Sequence, residues 1–161
     1  MKSSCAICRG AAADEELERI QVWENLYWRL TMSLVAETLG FSYLEPKRHI
    51  PYVSDLDGEE ARSFGEVLAS VTQALRGEAG AEIVYVYIFG DGVPHLHVHL
   101  APHSQGDALN SQIIRGDLIE EKLPNGFTRV VSAQFPALPQ EVLVNVANRV
   151  SRRLAYSMKI P

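Results

Sequence analysis

The sequence predicts an α+β domain of about five antiparallel strands with one long helix and a C-terminal helical extension. Two observations predict it. Five short apolar or alternating runs occur in the first hundred residues, four of them paired closely enough to be hairpins, and two later-paced windows repeat apolar residues at helical spacing. A chain of 161 residues supports one such domain, because this size buries about 70% of the unfolded surface.

The elements follow in order. Arg19 to Glu24 and Tyr27 to Met32 are rich in branched and aromatic residues around Asn25-Leu26, the pattern of a first hairpin. Phe41 to Leu44 follows Gly40 and stops at Pro46, which predicts a short strand with His49 just past its end. Ser54 is the expected N-cap of a helix with Asp55, Asp57, Glu59 and Glu60 near its positive end and Phe64, Val67, Leu68, Val71 and Leu75 on its apolar face. Glu82 to Phe89 and Pro94 to Ala101 form a second hairpin turning at Gly90-Asp91-Gly92. After Pro139, Val142, Leu143, Val146, Val150 and Leu154 recur at helical spacing. Residues 107–135 match no pattern.

Bulk properties narrow the function. Hydrophobic residues make up 47% and charged residues 22%, so the chain is neither disordered nor unusually polar. A net charge of -5 argues against binding a nucleic-acid backbone, which needs clustered Lys and Arg. No run of 18 apolar residues and no leader-like N-terminus occur, so we expect a cytoplasmic protein without a membrane partner.

The five histidines and two cysteines carry the chemistry. In a strand spanning His95-Leu96-His97-Val98-His99, the three histidines line one face while Leu96 and Val98 enter the core. Cys5 and Cys8, spaced Cys-x-x-Cys, suit a metal or a redox pair. Two thiolates with His49 and one triad histidine would close a tetrahedral structural zinc site, whereas His-x-His with a third histidine would make an open catalytic one.

His95 to Pro102 resembles the His-φ-His-φ-His-φ-φ motif of the histidine triad (HIT) superfamily, and Pro46-Lys47-Arg48-His49-Ile50 and the Cys5/Cys8 pair resemble segments of its zinc-bearing members. The resemblance implies a HIT-like fold in a domain of residues 1–104, with 105–161 an extension packed on the same domain. It implies a structural Zn2+ on Cys5, Cys8, His49 and His95. It further implies a hydrolase for nucleotides, for example dinucleoside polyphosphates, cleaving a phosphoanhydride or phosphoramidate bond at the α-phosphate.

In such a protein His97 is the nucleophile that forms a nucleotidyl-imidazole, and His99 contacts the phosphate. The attacking nitrogen must be bare, so the other ring nitrogen of His97 is expected to donate to a fixed acceptor, commonly a backbone carbonyl. Gly90 and Gly92 fall at a phosphate-facing turn, and His103 stands where many relatives have arginine. A nucleotidyltransferase or phosphorylase would share the intermediate, and a non-catalytic nucleotide-binding protein would share the fold. A homodimer is implied.

Two departures concern the substrate. Gly90-Asp91-Gly92 replaces the Gly-Gln-Ser or Gly-Gln-Thr of many relatives, and Ser33 stands where they have a ribose-binding acid. The base pocket is then expected to draw on Leu30 or Leu34, and the terminal helix to cover the active site or a dimer partner.

Overall fold

The computed structural model describes residues 5–90 and 92–158. Asp91, the centre of the expected turn, lies outside the described residues. A five-stranded antiparallel sheet runs in the order β1-β2-β3-β5-β4, with β1 at Arg19–Glu24, β2 at Trp28–Ser33, β3 at Ser42–Pro46, β4 at Ile83–Tyr87 and β5 at Val98–His103. The expected α+β architecture is therefore present.

One face of the sheet carries the main core. Leu30, Leu44, Val98 and Leu100 meet Val67, Val71 and Leu75 of α2 (Gly58–Ala79) and Val146, Val150 and Leu154 of α3 (Gln140–Ser157). Burying such side chains contributes about 1.5–3 kcal/mol each, which is why the two helical stripes dock here. The terminal helix thus lies against α2 and β1, not over the histidines. Leu30, expected in a base pocket, is fully buried in this core because its register partner Leu44 points the same way.

The long helix begins later than expected. Ser54 sits in a 3₁₀ turn, Val53–Asp55, and Leu56 is extended, so the N-cap passes to Asp57. The Asp55 carboxylate accepts the Tyr52 N–H at 3.2 Å and closes that turn on itself. At the other end Gly80, at φ 65°, takes the left-handed cap conformation that terminates α2.

The second hairpin also differs. β4 and β5 pair from Ile83↔His103 to Tyr87↔His99, and residues 88–97 form a long connection in place of a tight turn. The predicted strand from Pro94 loses its first residues because Pro94 has no N–H and the Leu96 N–H is taken by the Ile50 carbonyl at 2.6 Å. His95 and His97 therefore precede the strand, and only His99 is inside the ladder.

The stretch that matched no pattern forms a second sheet, a two-stranded ribbon of β6 (Leu118–Lys122) and β7 (Thr128–Ser132). A buried loop residue, Ile113, packs with Ala36, Phe41 and Ala101 on the sheet face opposite the main core. The Arg115 N–H donates to Glu37 Oε1 at 3.0 Å, and the Leu138 N–H to the Ala36 carbonyl at 2.9 Å, so the extension is fastened across that face. Before β1, Ala11–Glu16 forms the short helix α1.

Candidate active site and metal centre

Two sites meet at the segment His95 to His99. The first gathers Cys5, Cys8, His49 and His95, whose donor atoms all lie within 4.8 Å of one another. Cys8 Sγ is 3.2 Å from His49 Nδ1 and 3.4 Å from His95 Nδ1, and Cys5 Sγ is 3.5 Å from His95 Nδ1. A tetrahedral ion with S and N ligands at about 2.3 and 2.0–2.1 Å sets S···N edges of roughly 3.6 Å, so the cage has the size zinc needs.

The tautomer agrees. His95 Nε2 lies 2.8 Å from the Pro46 carbonyl, which only accepts, so Nε2 carries the proton and Nδ1 turns a lone pair toward the thiols. Burial, opposed by that hydrogen bond, holds the His95 imidazole below its ordinary range, which keeps it neutral as a ligand must be. Four protein donors converge and leave no open position, as in structural zinc sites and unlike a catalytic centre built on His-x-His. Reaching this cage turns His95, 1% exposed, away from the cavity that holds His97 and His99, so the three histidines do not share one face.

That cavity, of about 360 Å³, is the second site. Its floor is the sheet face of Tyr43, Glu45 and His99, set by the register Tyr43↔His99 between β3 and β5. His97 Nδ1 is 2.6 Å from the carbonyl of His95, so Nδ1–H donates there and Nε2 keeps its lone pair. The His97 and His99 rings stand 5.0 Å apart. Burial, reinforced by the neighbouring His97, pushes the His99 imidazole down to about 4, against a weaker pull from the Tyr87 backbone. His99 is thus neutral at pH 7.

The remaining expected contacts fall elsewhere. Gly90 and Gly92, both at φ 77°, are exposed, and the cavity wall is made by their neighbours Phe89 and Val93. His103 is about 13 Å along β5 from His99. It stacks on Tyr85 at 4.8 Å beside Asp107 and lines no part of the cavity, because strand rise carries it past the end of the site. Leu34 is absent from the wall as well, where Val35 and Ala36 stand instead.

Sequence reasoning missed two groups of lining residues. The ribbon supplies Leu123, Phe127 and Arg129, so the extension roofs the cavity through β7 and its turn. Arg129 is paired with Glu18 on the facing wall and with Glu121 at 2.8 Å. Carboxylates enter from Glu18, Glu37 and Glu45, while Ser33 lines the wall with its hydroxyl only. Of these only Glu45 was signalled, as a charge between the apolar residues Leu44 and Pro46 of a strand.

Solved structures with this architecture are numerous. A zinc-bound histidine triad family protein of Mycobacterium smegmatis matches with a TM-score of 0.65 at 19% identity, covering 98% of this chain and 99% of that one. A hypothetical histidine triad nucleotide-binding protein of Sulfolobus tokodaii matches with a TM-score of 0.65 at 18% identity over 94% and 93%. The NitFhit protein of C. elegans matches with a TM-score of 0.55 at 18% identity, over 81% of this chain and 27% of that one. No family model and no curated protein matches by sequence. At these identities the likeness speaks for the fold, and it agrees with the geometry above: the chain has the fold of the histidine triad proteins.

Proposed function

We propose that this chain is a zinc-stabilised nucleotide hydrolase of the histidine triad type, in which His97 attacks the α-phosphorus of a nucleotide and forms a covalent nucleotidyl-histidine. One observation carries the reading: the His95 carbonyl fixes His97 Nδ1–H at 2.6 Å and leaves Nε2 as a bare nucleophile on the wall of a nucleotide-sized cavity. Splitting the displacement in two lets the cavity hold the nucleotidyl group while water replaces the leaving group. His99, neutral and beside His97, contacts the phosphoryl oxygens.

Cys5, Cys8, His49 and His95 would hold zinc, whose contribution there is to fix the chain ahead of His97. The solved relatives described as zinc-bound and as nucleotide-binding support both halves of this reading. The domain is residues 1–104, with 105–161 packed on it as a roof and a core helix. β4, one of the two edge strands and the one with Ile83 and Val86 exposed, is the surface proposed to pair two copies into a homodimer.

The test is turnover of diadenosine tetraphosphate and of adenosine 5′-phosphoramidate by the wild type and His97→Ala. Loss of nucleotide release in the variant supports the assignment. Equal rates overturn it.

A further inference from the structure

Glu45 is a carboxylate where the fold has every reason to keep an apolar residue. It sits on central strand β3 and is 1% exposed. Its Oε1 accepts Arg19 Nη1 at 2.6 Å, while Oε2 is buried and has no hydrogen-bond partner among the described residues. A residue whose role was to anchor a guanidinium would engage it with both oxygens, the geometry the two groups prefer. Instead Arg19 turns its Nε to Asp14 at 2.8 Å, and Asp14 also takes Arg29.

Two permanently charged guanidinium groups thus share the interior with two carboxyls. Burial pushes the Glu45 carboxyl up while the Arg19 and Arg29 guanidiniums pull it down, and the 2.6 Å pair with Arg19 favours the carboxylate.

β3 and β5 pair Ser42↔Leu100, Tyr43↔His99 and Leu44↔Val98, where the ladder ends, and Glu45 is the next residue of β3 on the face of Tyr43. Tyr43, Glu45, His97 and His99 all line the cavity, and Glu45 and His97 interact electrostatically. The Glu45 carboxylate thus shares the cavity of the nucleophile, with the free oxygen Oε2 on the side that Arg19 leaves open.

We infer that Glu45 is a positioning residue for the covalent intermediate, its carboxylate stabilising the positive charge that the His97 ring acquires when Nε2 bonds to phosphorus. The inference rests on the His97 reading given above. In the first step the Nε2 lone pair forms the N–P bond, the bond from phosphorus to the leaving group breaks, and its electron pair departs with that group. Nδ1 keeps its proton because the His95 carbonyl holds it, so the ring ends with one positive charge. In the second step a water oxygen bonds to phosphorus, the N–P electron pair returns to Nε2, and the water's proton passes to solvent. The charge exists only between the two steps.

A fixed carboxylate next to such a ring lowers the energy of the charged state without reorganising. The same carboxylate repels the anionic phosphate of a bound nucleotide before reaction. Glu45 thereby weakens the ground state and strengthens the intermediate, a combination that accelerates chemistry.

The experiment compares wild type, Glu45→Gln and Glu45→Asp, each checked for metal content and melting temperature. Glu45→Gln keeps an acceptor for Arg19. Single-turnover reaction with phosphorus-labelled adenosine 5′-phosphoramidate, quenched in alkali, reads formation of labelled protein, and calorimetry reads AMP and adenosine binding. We expect Glu45→Gln to form labelled protein at least about tenfold more slowly. It should bind AMP more tightly, with adenosine affinity unchanged, and Glu45→Asp should recover part of the rate. Labelling by Glu45→Gln at the wild-type rate, or a loss that follows melting temperature with AMP affinity unaltered, overturns the inference and leaves the His97 reading standing. Absence of labelled wild-type protein overturns that reading, and the inference with it.

Discussion

The carbonyl oxygen of His95 lies 2.6 Å from Nδ1 of His97, and the ring of the same His95 is a member of the four-residue cage. One residue thus serves both sites, its side chain inward and its carbonyl toward the nucleophile. The cage sets where that carbonyl stands, so disturbing the cage must disturb His97.

Loss of the metal should cost stability first. Chelation, or Cys5→Ser, is expected to lower the melting temperature by about 10 °C or more, since several kcal/mol are at stake and each shifts a chain this size by about 2–4 °C. Elemental analysis of the untreated protein should give one zinc per chain. A melting temperature unchanged by chelation would refute the structural role of the ion.

Removing the nucleophile should cost rate and spare the fold. His97→Ala is expected to reduce kcat for nucleotide release by on the order of a thousandfold or more, because the nucleophile oriented by the His95 carbonyl is gone. Its melting temperature should stay within a few degrees, as His97 is only partly buried. Steady-state kinetics beside a thermal scan decides this.

His99 should make stability depend on pH. Its folded value of about 4 lies below the ordinary 6.5, so between those values the unfolded chain binds a proton that the folded chain refuses. Stability is then full above pH 6.5, falls as pH drops toward 4, and changes no further below. The span corresponds to at most about 3 kcal/mol. The rings of His97, Tyr43, Phe41 and Phe89 surround His99, with Tyr87 its register partner on β4. Urea unfolding at stepped pH should give a steeper slope for wild type than for His99→Asn, and identical slopes would refute the burial argument.

The ribbon should matter for binding more than for folding. Arg129 is a third exposed, and its pairs with Glu18 and Glu121 are of the partly solvated kind worth about 0–1 kcal/mol. Arg129→Ala and Phe127→Ala are therefore expected to move the melting temperature by no more than about 4 °C while raising KM severalfold. A KM unchanged in both would show that the substrate does not reach the ribbon.

Much of the fold was legible because local rules and tertiary packing agree. The hairpin of β1 and β2 follows from its branched and aromatic residues, and the stripes of α2 and α3 bury most of the residues that their spacing predicts, Val142 at the start of α3 staying exposed. The helix start at Ser54 was misread because two acids follow it closely, and a turn closed by Asp55 competes successfully for the same backbone. The ribbon was illegible for a different reason. Its strands, mostly exposed or half-buried, lack the alternation that marks a strand on a core.

The candidate site divides along the same line. Spacing singled out Cys5, Cys8 and the three triad histidines and residue chemistry added His49, while the resemblance to the histidine triad family named His95 as the fourth ligand. The division of labour between His95 and His97 depended on a loop that breaks the strand before Val98 and turns the two rings to different sites. Glu18, Glu37, Glu45 and Arg129 come to one cavity from positions up to 111 residues apart. A sequence records periodicity and residue chemistry, which are local, but which wall a charge faces follows from sheet register and chain crossing, and those exist only after the chain has folded.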